Sequence, residues 1–292
     1  MPELPDLVRI VKHLGPELEG RRILRATVGN PIVLRVLVPG GFPDLVAGRS
    51  LRGLERVGPF LHARLEAESG PALDLVMHLM LAGRLKLAPP GNGPASKPLP
   101  ATAFGLELDD GRRLFYGDEK SMGKVYLCPS GSFEAIPGYL SQGVDVASPN
   151  FTFELFSALI AKRRCQARVF VMDQASLSAI GNAYADEILF EAGIHPKAFC
   201  HALPPEKRRA LYDAIVSVLA WGIDEVEKAD RPLEEKARGH LRVRGRAGEK
   251  CPRCGAIIRK AGVLGFDSYF CPVCQPDLAG RGLDWNRLPG PG

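Results

Sequence analysis

The four cysteines in Cys251-Pro-Arg-Cys254 and Cys271-Pro-Val-Cys274 are spaced C-x2-C-x16-C-x2-C, and no other feature of this 292-residue chain limits its fold so tightly. Each x2 pair closes a tight turn that brings two thiolates to one point, and two such pairs about 15–20 residues apart make a tetrahedral zinc site. Four thiolates leave no open position, so one Zn2+ held there is structural rather than catalytic. A pair of disulfides is the alternative; a redox role would need a single C-x-x-C beside a βαβ pattern, which is absent. Cys128, Cys165 and Cys200 stand singly in apolar surroundings and read as small core residues.

The segment leading into these cysteines is basic. From Lys236 to Lys260 nine Lys/Arg face one acid, Glu249, in a chain whose net charge is only +5. Such a run is either a solvated face or a surface for phosphates. Hydrophobic residues at 46% and charged residues at 24% exclude disorder along the whole chain. No apolar run approaches the roughly 20 residues of a membrane span. The opening MPELPDLVRI has no apolar h-region, so it is neither a secretory signal nor an anchor, and a cytoplasmic protein is expected.

Periodicity divides the rest. Residues 5–18 carry an amphipathic helical pattern that begins after Pro-Glu-Leu-Pro. From Ile23 to Leu127 short alternating runs (ILRATV, FLHARLEA, LDLVMHLM, GRLKLA, FGLELDDGRRLFYG) are punctuated by Gly, Pro and Asp, which predicts an antiparallel β-sandwich or barrel. Residues 89–100 form a Pro/Gly-rich loop expected to be mobile. Helices are expected at 151–162, 166–173, 182–192 and 205–228. The fold class is therefore α+β. The expected domains are an N-terminal catalytic sandwich at 2–130, a linker at 131–150, a helical DNA-binding domain at 151–240, the finger at 241–276 and a flexible tail at 277–292.

Four features occur in one order: Met1-Pro2-Glu3-Leu4-Pro5, the β-rich half, the segment from Ala179 to Pro196 containing Ile-Gly-Asn-Ala-Tyr-Ala-Asp-Glu, and the four-cysteine finger ending at Gln275. Together they resemble the formamidopyrimidine-DNA glycosylase/endonuclease VIII family over residues 2–275. The resemblance implies a β-sandwich, a helix–two-turn–helix module and a zinc finger, with DNA held between the domains. It also implies base excision repair: cleavage of the N-glycosidic bond of a damaged base, then strand nicking at the abasic site. Removal of Met1 would leave Pro2 as a secondary amine able to attack C1′ and form an iminium, the Schiff base that drives β-elimination. In the family's position Glu3 is the acid/base that protonates the sugar ring oxygen; elsewhere it would be a solvated terminal charge. Asp6 is expected to position or cap the first helix. Asn182 at a helix start is a phosphate clamp, an N-cap, or both. His195-Pro196 after Gly193 reads as a C-cap turn. DNA contacts are further expected from His78, Lys120, Arg244 and Arg246, with Leu81 and Met122 as apolar wedges for the gap left by an extruded base.

The chain departs from the family where the family touches DNA. Pro59 in Gly-Pro-Phe-Leu replaces a phosphate-binding lysine, Ser121 replaces the arginine that pairs with the orphaned base, and Phe266 replaces a phosphate-gripping arginine of the finger. Phe266 is expected to pack the finger or stack on a base. Weaker reading of the opposite base makes single-stranded, bubble-like or cross-linked DNA a more plausible substrate than a matched duplex. A DNA-structure-binding protein that has lost glycosylase turnover is the alternative. A clamp around DNA needs one subunit, so a monomer is expected.

Overall fold

Pro5 sets the φ of the first helical turn, and leucines and isoleucine at helical spacing carry the chain onward as α1 (Leu4–Leu18). Leu7, Ile10, Leu14 and Leu18 form its buried stripe and enter the core of the first of two units. In the computed structural model, which describes residues 2–277, that unit comprises Met1–Ser141 with Val226–Ala237, and the second comprises Gln142–Glu225 with Arg238–Gly292. The tail expected at 277–292 lies, past its first residue, outside the described residues.

The first unit is a two-sheet sandwich. One sheet has the order β1-β7-β8-β6, from β1 (Ile23–Val28), β6 (Arg84–Ala88), β7 (Thr102–Leu108) and β8 (Arg113–Gly117). The other has the order β2-β9-β5-β4-β3, from β2 (Leu34–Val36), β3 (Ser50–Val57), β4 (Phe60–Glu66), β5 (Leu73–His78) and β9 (Lys124–Pro129). A short α2 (Phe42–Val46) precedes β3. Alternate residues of each sheet, including Leu61, Ala63, Leu65, Leu106 and Leu114, meet α1 in one core, where Phe104 and Tyr116 stack at 5.3 Å. One pairing departs from the antiparallel expectation. The three-residue edge strand β2 runs parallel to β9, Leu34 opposite Val125, because the many intervening residues let two strands distant in sequence align in the same direction.

Two loops are more fixed than their composition implies. In the Pro/Gly-rich segment at 89–100, Leu99 packs with Ala88 and Phe115, and Arg113 donates to the carbonyls of Gly91 and Ser96. One apolar anchor and one arginine thus tie this segment to the sheet. Phe133, Ile136 and Tyr139 likewise cover Phe60, Val76 and Tyr126 on the outer face of the five-stranded sheet.

In the second unit a two-residue parallel pair, β10 (Val144–Asp145) and β11 (Leu177–Ser178), accompanies helices α3 (Phe153–Ala161), α4 (Ala167–Val171), α5 (Asn182–Ala192) and most of α6 (Pro205–Lys228). The Thr152 hydroxyl caps α3 by accepting the Leu155 N–H at 3.3 Å. Gly193, at φ 62°, ends α5 in the left-handed conformation that Gly adopts without steric cost. The antiparallel hairpin β12 (Arg259–Val263) and β13 (Phe266–Phe270) completes the unit. No helix among the described residues is long and apolar enough to cross a membrane.

Candidate active site and metal centre

At the head of α1, Pro2 and Glu3 are both buried, Glu3 with 3% of its surface exposed. The Asp6 carboxylate accepts the Glu3 backbone N–H at 2.8 Å, so Asp6 fixes the turn that carries the two residues and acts as a capping residue. Further along, Arg9 donates to the Arg231 carbonyl at 2.5 Å, and His13 and Lys12 reach Glu227 at 2.8 and 3.1 Å. These contacts hold α1 against the 226–237 segment of its own unit.

Two turns of the sandwich carry the residues expected as wedges. Leu81 is 44% exposed in the turn after β5, and Met122 is 38% exposed in the turn after β8. The buried Asp118 carboxylate organises the second turn, accepting the N–H of Lys120 at 3.0 Å and of Gly123 at 2.6 Å. Ser121 is held at φ 50° and its hydroxyl accepts from Asn30 at 2.9 Å. Both turns close on the Tyr116 ring: a Cβ on Gly123 would overlap the Tyr116 hydroxyl, and one on Gly83 would lie 2.7 Å from it. Leu81 and Met122 thus keep exposed apolar surface at two turn tips brought to one tyrosine.

His78 ends β5, edge-on to Phe60 at 4.9 Å, with its Nδ1 accepting the Met80 N–H at 3.1 Å. Burial pushes its pKa down to about 4, so at neutral pH it offers hydrogen bonds but no charge. Lys120 is exposed. Pro59 is buried in the β3–β4 turn beside Gly58, at φ 55°, and supplies no cation there.

In the second unit α5 begins at Asn182, whose Oδ1 accepts from the Arg168 guanidinium at 2.7 Å. With the amide oxygen occupied, the Asn182 nitrogen is the end left to donate to a phosphate. Arg168 is fully buried; it also bonds Asp186 at 3.2 Å and the Asp267 carbonyl at 3.2 Å. Asp186 in turn accepts from Arg244 at 2.8 Å and from Ser268 at 2.7 Å. The next residue, Glu187, accepts the backbone N–H groups of Arg242, Val243 and Arg244 at 3.0, 2.9 and 3.0 Å. Two adjacent carboxylates of one helix thus hold the chain that enters the finger.

Much of the basic run is consumed inside the protein. Arg242 and Arg253 pair with Glu191, Lys260 pairs with Asp267, and Arg246 donates to the Leu241 and Gly239 carbonyls and to Glu249. Arg244, on Asp186 and the Asp267 carbonyl, and Arg246, both expected at DNA, also make bonds within the protein. Neither Arg168 nor Asp118 was visible to sequence reasoning, because their partners lie in other segments or on turn amides.

The thiolates of Cys251, Cys254, Cys271 and Cys274 lie within 4.8 Å of one another, with 3.9 Å between Cys251 and Cys274 and 3.4 Å between Cys254 and Cys271. A tetrahedron of Zn–S bonds of ~2.3 Å has S···S edges of about 3.8 Å, so the donor set fits one Zn2+. None of the four is in a disulfide. Gln275, fully buried, accepts the Cys271 N–H at 2.9 Å and donates to the Ile194 carbonyl at 2.8 Å, fastening the finger to the turn after α5. His195 in that turn packs edge-on against Phe270 at 4.7 Å, a structural role.

A β-sandwich unit followed by a helical unit ending in a structural zinc finger defines the architecture. Three family models match it in chain order: the formamidopyrimidine-DNA glycosylase N-terminal domain over residues 1–125, the H2TH domain of the same enzymes over 142–230, and a zinc finger found in FPG and IleRS over 248–276. The chain is 33% identical to the formamidopyrimidine-DNA glycosylase of Symbiobacterium thermophilum, covering 98% of this chain and 93% of that one. It is 31% identical to that of Chloroflexus aurantiacus, covering 94% and 98%. Among solved structures it is similar to the MutM (Fpg) protein of Thermus thermophilus, with TM-score 0.79 and 29% identity over 94% of this chain and 98% of that one. A complex of Lactococcus lactis Fpg with abasic-site DNA gives TM-score 0.80 and 26% identity over 94% and 100%. The chain belongs to the formamidopyrimidine-DNA glycosylase family.

Proposed function

We propose that this chain is a bifunctional DNA glycosylase and abasic-site lyase of base excision repair, with Pro2 as nucleophile and Glu3 as acid/base. The observation that carries the proposal is the Pro2–Glu3 pair, buried at the capped head of α1 in a chain that covers 93% of its Symbiobacterium thermophilum relative. Solved complexes of the Lactococcus lactis relative with abasic-site DNA and with DNA containing an oxidised pyrimidine support DNA as the substrate.

Once Met1 is removed, the Pro2 nitrogen attacks C1′ while Glu3 delivers a proton to the ring oxygen. The glycosidic C–N bond breaks with its electron pair leaving on the base, which takes up the proton shed by the Pro2 nitrogen, and the opened sugar carries a C1′ iminium. That electron sink acidifies C2′; loss of a C2′ proton expels the 3′ phosphate by β-elimination and nicks the strand. Leu81 and Met122 fill the gap of the displaced base, where unstacking costs a few kcal/mol. The zinc takes no part in these steps; Cys251, Cys254, Cys271 and Cys274 hold it and it orders the finger. Asn182 and Lys120 hold phosphate.

Pro59, Ser121 and Phe266 carry no charge where relatives of this family grip DNA, so the preference has moved toward single-stranded, bubble-like or cross-linked DNA. The protein acts as a monomer in the cytoplasm. Retention of both nucleophile and acid favours an enzyme over a DNA-structure-binding protein without turnover.

Incision of oligonucleotides carrying one abasic site or one oxidised base tests the assignment. Glu3→Gln should abolish base removal, and Pro2→Gly should slow both base release and nicking. Full nicking by protein that retains Met1 would contradict it.

A further inference from the structure

The tip of the finger hairpin is built against its own interest. Val263 faces Phe266, and the two-residue turn between them is Leu264-Gly265, both at positive φ (45° and 79°). Such a turn favours Asn, Asp or Gly at both positions. A leucine there is strained, and its side chain is 74% exposed, so it contributes no core packing in return. Phe266 is 54% exposed, which corrects the expectation that it packs the finger. The reason lies in the register. Phe266 alternates in step with the buried Ser268 and Phe270, but at the tip of the hairpin it borders open space.

That space is a cavity of about 400 Å³ inside the second unit, walled by Leu264 and Phe266 on the hairpin and by Val169 and Met172 of the α4 region, with Arg168 also in its lining. Its size falls within the ~300–1,000 Å³ of small-ligand sites. Charge lines it as well: Arg163 pairs with Asp173 at 2.9 Å in the same wall. Lys162, Arg163 and Arg164 run directly into Cys165 of the lining, and Lys162 and Arg164 are exposed. Arg168 of the lining also holds Asn182, the phosphate-binding residue proposed above.

We infer that this cavity takes one unstacked nucleobase of the DNA substrate, stacked on Phe266 and closed by Leu264, with the adjoining phosphates on Lys162 and Arg164. The assignment rests on DNA as the substrate and names what has replaced the missing finger arginine. An arginine there reads phosphate charge, which duplex and single strand share. An exposed phenylalanine over an apolar cavity reads a base face, which only unpaired DNA offers. The finger is therefore the element that selects DNA with a base already outside a helix.

The test uses the full zinc-loaded chain, a single-stranded oligonucleotide carrying one 2-aminopurine, and the matched duplex. Binding of the single strand should quench 2-aminopurine fluorescence through stacking. Phe266→Ala should weaken single-strand binding between about 5- and 150-fold, the range for losing one aromatic–base stack, and Phe266→Trp should restore it. Leu264→Asn relieves the turn, so the finger should be at least as stable as in the parent chain while single-strand affinity still falls; misfolding cannot mimic that combination. Single-strand affinities of Phe266→Ala and Leu264→Asn within about twofold of the parent would overturn the base pocket. Borohydride trapping of the parent protein on an abasic duplex separates the two levels. Trapping with unchanged variant affinities overturns the pocket alone, whereas no trapping and no DNA binding overturns both the pocket and the enzyme assignment.

Discussion

Glu187 is the residue through which α5 controls the entry to the finger, and Glu187→Gln changes one atom of it. The buried carboxylate accepts three backbone N–H groups: Oε1 takes those of Val243 and Arg244, and Oε2 takes that of Arg242. A glutamine keeps one acceptor. At best it retains the Val243 and Arg244 bonds and turns its NH2 toward the Arg242 N–H, leaving a buried donor unpaired at a cost of about 1–3 kcal/mol. The two remaining bonds lose their charge assistance, worth about 1 kcal/mol each, and the lower desolvation cost of a neutral side chain offsets part of the sum. The expected loss is about 2–4 kcal/mol. It should appear as a lower urea midpoint for the helical unit and as faster hydrogen exchange at amides 242–244, with the sandwich amides unchanged. An unfolding free energy lowered by less than ~0.5 kcal/mol with undiminished protection at 242–244 would refute the view that Glu187 anchors the finger.

His78 gives a pH signature. Its folded-state pKa of about 4 lies below the ordinary 6.5, so between those values the unfolded chain binds the proton first. Stability is full above pH 6.5 and falls as the pH drops toward 4, by at most about 2–3 kcal/mol from this group. His78→Gln should flatten that limb in urea titrations at pH 4, 5 and 6.5. The Tyr116 hydroxyl is buried with no hydrogen-bond partner among the described residues, so Tyr116→Phe should leave stability within ~0.5 kcal/mol or raise it by up to ~1 kcal/mol by thermal melting. Cys254→Ser should lower zinc from one ion per chain, measured by atomic emission, and speed exchange across 248–276, because the metal supplies the finger's folding energy.

What was legible in the sequence was local. The cysteine spacing placed the zinc site, and apolar periodicity bounded α5 and α6 at the observed residues. The alternating runs located most strands of the sandwich. What escaped depends on pairs far apart in the chain. The basic run reads as a solvated face or a surface for phosphates, and neither reading shows that Arg242 is bound to Glu187, 55 residues earlier, or Arg253 to Glu191, 62 earlier. Arg168 had no marker at all: a lone arginine in a short helix becomes a buried hub only when Asn182, Asp186 and Asp267 close around it. The parallel pairing of β2 was hidden for the same reason, since three residues carry no directional signal.

The Pro2 amine is the central claim, and borohydride reduction reads it directly. Protein verified by intact mass to begin at Pro2 is mixed with an oligonucleotide carrying one abasic site, reduced and digested, and the cross-linked peptide is sequenced. One covalent adduct is expected, mapped to the Pro2 nitrogen and absent from protein that keeps Met1. An adduct on a lysine, or none from protein that begins at Pro2, would contradict it.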